Sequence, residues 1–236
     1  MMSDTSLGVS DNNVFASLLN KADRIVIKIG SALVFDPKAG QANASWMAGL
    51  GDDIAMLRAR GKQVILVSSG AIALGREKLH LGRGAIQLAE KQAAAATGQV
   101  ELVQKWKAAL GVHDIQTAQI LLAPDDTETR RRHINARATT STLLELGAVP
   151  VVNENDTITT YEIRFGDNDR LAARVAAMIS APTPTGKPVP WTQPKNAGWV
   201  LPVAYGMTVS VICVNTSAVG VAAPSSSTPI SAGFCC

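Results

Sequence analysis

Aromatic and charged residues are scarce in this chain. Of its 236 residues, 4% are Phe, Trp or Tyr and 17% are Asp, Glu, Lys or Arg. So few aromatics leave little surface on which bases could stack. The net charge of +3 is spread along the chain, not gathered into the basic stripe of a nucleic-acid-binding face. Cysteine is absent before Cys213, and Cys213, Cys235 and Cys236 lack the spacing of a zinc site or a disulfide framework. The opening MMSDTSLGVSDNN is polar and acidic, unlike the basic-then-apolar pattern of a secretory leader. A reducing, cytoplasmic setting without nucleic acid is the expectation.

Acidic residues vanish altogether in one region. Residues 183–236 contain no Asp, Glu, Arg or His, and only Lys187 and Lys195 carry charge. At the usual share, that length would hold roughly thirteen charged residues. Eight of the eleven prolines lie at Pro182 or later. Three regions follow: a flexible extension over 1–20, an ordered domain over 21–181, and a Pro-rich, acid-free tail over 182–236. So sharp a change is what a shifted or misjoined reading frame would produce. A membrane span needs about twenty predominantly apolar residues, and Pro202, Gly206, Thr208, Asn215 and Thr216 interrupt the uncharged stretch 197–223. No membrane is therefore expected, and the tail is read as poorly ordered. Within it, MTVSVICV (207–214) alternates as a strand does.

The 47% hydrophobic content suffices for a sizeable core, and before residue 182 it is arranged as repeating β–α units. RIVIKIG (24–30) and QVILVSSGA (63–71) are apolar runs of the kind buried in parallel sheets. Further strands are expected at DIQTAQILL (114–122) and AVPVV (148–152). Helices are expected from Asn43 to Gly61, over 101–110, over 127–146 and over 171–180. Strands alternating with helices imply a mainly parallel sheet covered on both faces. Ligands then sit at the carboxyl ends of the strands, which selects the loops after Ile29, Val67, Leu122 and Val152.

No GxxxxGK[ST] or GxGxxG pattern marks these loops. Lys28 interrupts an apolar strand just before Gly30 and Ser31. It is either an edge-strand lysine reaching solvent or a cation held over a strand end, where Gly30 would let backbone N–H groups approach a phosphate. Ser69 and Gly70 sit at a strand-to-helix junction, either as an ordinary cap or as a binder of a carboxylate or phosphate. Asn153, Asn155 and Asp156 follow the fourth strand, and Asp167, Asn168 and Asp169 precede a helix. Asn and Asp make caps and turns, yet six such residues flanking one short hairpin exceed what turns require. Paired carboxylates could also serve Mg²⁺ alongside substrate phosphates. His80, His113 and His133 have no partners at ligand spacing and are read as surface or loop residues. RRRH (130–133) reads as a solvated helix face, and Asp125 and Asp126 as a helix-start turn.

VIKIGSALV, VILVSSGAIALGR, KQAAAATGQ, INARATTSTLLELGAVPVVNENDTI and FGDNDRLAA occur in this order. Together they resemble the N-terminal part of the glutamate 5-kinases, within the amino-acid kinase family, over roughly 24–181. The resemblance implies a three-layer α/β/α sandwich and the ATP-dependent phosphorylation of the γ-carboxyl of L-glutamate, the first step of proline biosynthesis. It implies that Lys28 is catalytic and, with Gly30 and Ser31, contacts ATP, and that Asp169 orients the catalytic lysines. Ser69, Gly70, Asn153, Asp156 and Asn168 would bind glutamate. Mg²⁺, a homo-oligomer and feedback by proline are further implications. The nucleotide-binding half of the family pattern, with its Gly-rich loop and second lysine, has no counterpart after Pro182. A remnant that at most binds glutamate is therefore the alternative, and N-acetylglutamate kinase is a further one.

Overall fold

The computed structural model describes residues 22–82, 84–158, 167–180 and 209–214. The extension expected over 1–20, the hairpin from residue 159 to 166 and the tail apart from 209–214 lie outside the described residues. Six strands and seven helices carry the domain as far as Ser180. In chain order they are β1 (Arg24–Ile29), α1 (Ser31–Val34), β2 (Phe35–Asp36), β3 (Gln41–Ala42), α2 (Ala44–Ala59), β4 (Gln63–Ser68) and α3 (Ala71–Lys78). Then come α4 (Leu88–Gly111), β5 (Thr117–Leu122), α5 (Pro124–Glu128), α6 (Arg130–Glu145), β6 (Val149–Glu154) and α7 (Asp167–Ser180). A seventh strand, β7 (Val209–Val214), belongs to the tail.

The main sheet has the order β5-β6-β4-β1-β7, and every pairing in it is parallel. Strand alternation divides the core into two. Ile25, Ile27 and Ile29 of β1, Val64 and Leu66 of β4, and Val149 and Val151 of β6 pack with Met47, Leu50 and Ile54 of α2 and with Leu102, Trp106 and Leu110 of α4. Val26, Ile65, Val67 and Val152 face the other way, onto Leu144 of α6 and the buried side of α7. The result is the expected three-layer arrangement. It arises because buried parallel strands present apolar residues on both faces and each face must be covered.

Local signals explain most boundaries. Asn43 caps α2 by accepting from the Trp46 N–H at 3.4 Å, and the chain leaves that helix through Gly61 at φ +77°, a left-handed turn suited to glycine. The helix expected over 101–110 is longer, because α4 begins at Leu88 and runs 24 residues. Its start is closed by Glu90, which accepts from the Gln87 N–H at 2.7 Å. The helix expected over 127–146 is two helices, broken at Thr129, whose backbone is extended. Asp126 accepts from the Ala123 N–H at 2.8 Å, so the helix-start reading of Asp125 and Asp126 holds.

The alternating MTVSVICV segment does form a strand. Val209–Val214 pairs with the whole of Arg24–Ile29 in parallel register. β1 is consequently an interior strand, flanked by β4 and β7.

Candidate functional site at the strand ends

The register sets the floor of the site. Lys28 pairs with Val67, and Val67 pairs with Val152. The next residues along each strand, from Ile29, Ser68 and Asn153, therefore open at one edge of the sheet, where loops can converge.

Lys28 has the parity of Val26, so it points to the face covered by α7. Its Nζ lies 2.6 Å from Oδ1 of Asp169, with 15% of the lysine side chain exposed and 36% of the aspartate. That geometry excludes the edge-strand reading: the ammonium is held over an interior strand by a carboxylate, not released to solvent. Asn168, one residue earlier in the first turn of α7, donates from Nδ2 to Oγ of Ser69 at 2.9 Å. The first turn of one helix thus reaches the ends of both β1 and β4.

Ser69 is not the helix cap. Gly70 holds that position at φ +110°, and α3 has no side-chain cap. The hydroxyl of Ser69 is turned instead toward Asn168. Gly30 precedes α1, and a Cβ added there would meet nothing within 4 Å, leaving the backbone beside Lys28 open to an approaching group. Ser31 is exposed. Among the described residues, Lys28 with Asp169 and Ser69 with Asn168 are brought into direct contact.

Asn153 and Asp156 follow a different pattern. Both are buried, with 2% and 9% of their surface exposed. Asn153 has the parity of Val149 and Val151, so it faces α4, where its Nδ2 donates to Oε1 of Gln99 at 2.7 Å. Trp106 of the same helix donates from Nε1 to Oγ of Ser68 at 3.0 Å, and that hydroxyl donates to the carbonyl of Ser69 at 3.2 Å. Gln99, Trp106 and Ser68 were not singled out by sequence reasoning. The only signal for them is a spacing of seven between Gln99 and Trp106, two turns apart on one face of a helix.

Two histidines find hydrogen-bond partners: His133 Nδ1 lies 3.2 Å from the carbonyl oxygen of Thr127, and His113 Nε2 lies 2.9 Å from Oδ1 of Asp52. The pair lies on the α2–α4 side, and the Arg130–Arg132 run is exposed. Among the described residues no three His, Cys, Asp or Glu side chains gather as a metal-ligand set, and no helix is long and apolar enough to cross a membrane.

An open parallel sheet layered by helices, with a lysine, a serine and an Asn–Asp helix start meeting at its carboxyl edge, is the architecture of an α/β protein whose ligands sit at strand ends. The model of the amino acid kinase family matches residues 23–183, most of the chain. The chain belongs to the amino acid kinase family. Among its relatives are proteins named glutamate 5-kinase. One, from Gluconobacter oxydans, is 58% identical over 166 residues, covering 70% of this chain and 44% of the relative. Another, from Caulobacter vibrioides, is 61% identical over 160 residues, covering 68% and 42%. A third, from Paramagnetospirillum magneticum, is 58% identical over 165 residues, covering 70% and 44%. The chain therefore spans less than half the length of these curated relatives. β7 lies beyond the residues that the family model matches.

Proposed function

We propose that this site binds L-glutamate and presents its γ-carboxylate to ATP, giving L-glutamyl 5-phosphate and ADP. The observation that carries the reading is the first turn of α7, which places Asn168 on Ser69 and Asp169 on Lys28. It joins a carboxylate-binding turn to a cation over the neighbouring strand end. The names of the relatives, at 56–61% identity, support glutamate as the acceptor. They do so in preference to its N-acetyl derivative.

Phosphoryl transfer asks a protein mainly for positioning and for neutralisation of charge. Ser69, Asn168 and the Gly70 turn would hold the acceptor in line, while Asn153 and Asp156 would grip the amino-acid end. An oxygen of the γ-carboxylate forms the new bond to phosphorus as the bond from phosphorus to the ADP oxygen breaks, and no proton moves. Lys28 would offset the negative charge on the transferring group, with Asp169 fixing the direction of its ammonium. The open backbone at Gly30 and Ser31, beside that cation, suits a phosphate. Mg²⁺, which supplies charge neutralisation when bound with a nucleotide, is ordinarily held by one or two carboxylates and the phosphates themselves.

A second reading is favoured by one specific observation. The family match ends at residue 183, and the sequence beyond contains neither a GTGGM-like loop nor any lysine after Lys195. On that reading the chain holds the acceptor side of the site and takes glutamate without turning it over. Coupled ADP release with glutamate, Mg²⁺ and ATP, run beside calorimetric titration of glutamate, separates the two. Turnover supports the kinase reading, binding without turnover supports the acceptor-only reading, and absence of both overturns the proposal.

A further inference from the structure

We infer that Gln99, in the middle of α4, is a positioning residue for the candidate acceptor site, acting through Asn153. The inference rests on the glutamate-binding reading and names a residue to which that reading gives no part. Gln99 and Asn153 are separated by 54 positions, lie on different layers, and are 7% and 2% exposed. Their one mutual hydrogen bond leaves Nε2 of Gln99 and Oδ1 of Asn153 buried with no partner among the described residues. Buried amides in native proteins are almost always satisfied. An adjacent pair that uses one donor and one acceptor and leaves one of each is open to a further polar group, whether an ordered water, an ion or a ligand.

The pair has a useful symmetry. If both amides were turned over, the bond would run from Gln99 to Asn153 and again leave one N–H donor and one C=O acceptor. The complement of a donor beside an acceptor is a group carrying a carboxylate and an ammonium, which is the head of an α-amino acid. The helix is held in place for this task. A Cβ added at Gly98 would collide with the carbonyl of Ala71, so the backbone of α4 touches the first residue of α3, immediately after the Ser69–Gly70 turn. Gln99 is the next residue. Its side chain spans from that contact to the end of β6 and fixes which edge of the Asn153 amide turns toward the strand ends.

Titration of L-glutamate into wild-type, Gln99→Met and Gln99→Glu proteins tests the inference. Methionine keeps the length of the side chain and removes both polar atoms; glutamate keeps the acceptor for Asn153 Nδ2. Gln99→Met is expected to weaken glutamate binding about tenfold, the loss that follows when a buried amide is left without its partner, and Gln99→Glu to stay within about threefold of wild type. A purely packing role would leave the Kd of a folded Gln99→Met protein unchanged, and that result overturns the inference, as does a Gln99→Glu protein as weak as the methionine variant. Should neither variant fold, side-chain amide resonances of the wild-type chain decide. Glutamate is expected to shift those of both Asn153 and Gln99, and a titration that moves Asn153 alone refutes the coupling. A wild-type chain that takes no glutamate fails the parent reading, whereas binding by wild type with indifferent variants fails this inference only.

Discussion

Replacing Gly70 with alanine measures how firmly the turn carrying Ser69 is held. Gly70 has φ +110° and ψ −6°, outside the left-handed region near φ of about 50–70° that L-residues can reach. The backbone strain of an alanine there is about 1–3 kcal/mol. The new Cβ would also lie 3.0 Å from Cγ1 and 3.1 Å from Cβ of Val34. Val34 is fully buried and stiff at χ1, as β-branched residues are, so overpacking adds about 1–3 kcal/mol. The two effects together lower stability by about 2–6 kcal/mol. For a chain of this size each kcal/mol corresponds to about 2–4 °C in Tm, so even the smallest combined loss lowers Tm by about 4–8 °C. Urea titrations of wild type, Gly70→Ala, Val34→Ala and the double variant separate the causes. Trimming Val34 to alanine removes the Cγ1 contact but leaves its Cβ 3.1 Å away and the strain in place, so the double variant is expected to fall short of additivity by only part of the overpacking cost of about 1–3 kcal/mol. A Gly70→Ala protein within about 0.5 kcal/mol of wild type would refute the strain argument. A strictly additive double variant would refute the contact with Cγ1 of Val34.

Two further outcomes follow from charges. Burial, and secondarily the neighbouring Asp52 carboxylate, push the Asp53 carboxyl above its ordinary value of 3.8. The folded chain then holds its proton to higher pH than the unfolded chain, so ionised Asp53 destabilises the fold above that range and costs nothing below it. Asp53→Asn is accordingly expected to raise Tm at neutral pH, with the gain shrinking to nothing as pH falls to about 3.8; a gain independent of pH would contradict this cause. Lys28→Met is expected to abolish phosphoryl transfer, by a factor of at least about 100, while changing glutamate affinity little and lowering stability by no more than about 1 kcal/mol, since the ion pair is partly exposed. Steady-state kinetics and glutamate titration check both halves, and loss of glutamate binding would move Lys28 from the transfer step to the acceptor pocket.

Where apolar runs were bounded by glycine or charge, as at Arg24–Ile29 and Gln63–Ser68, the strands were legible from residue type alone. The rule that ligands gather at strand ends pointed to the loops beside Lys28 and Ser69, and the family resemblance added Asn168 and Asp169; the fold joins the four in two contacts. Boundaries were missed where periodicity carries no signal. The run AAAAT in α4 has no apolar stripe, so the helix was read as starting a dozen residues late, and Thr129 broke α5 from α6 without a glycine or proline to announce it. The supports of the site were invisible for a different reason. Gln99 with Asn153 and Trp106 with Ser68 are pairs separated by 54 and 38 residues, and only the packing of α4 on the sheet makes them neighbours. The same holds for β7, whose alternation was plain but whose partner strand was not.

α7 supplies both Asn168 and Asp169 at its start and Leu171, Ala172, Val175, Ala176, Met178 and Ile179 to the second core cluster. Arg24 at the opposite end of β1 donates to the carbonyl of Ile179 at 2.9 Å, pinning the helix where it leaves the site. Recognition and assembly of the outer layer are therefore one thermodynamic event. Whatever engages Asn168 and Asp169 can do so only in molecules whose α7 is docked, and its binding free energy is added to the docking equilibrium. Ligand affinity thus becomes resistance to proteolysis along the whole helix, and a protease ladder across 171–180 would read occupancy of a site that no cleavage point touches.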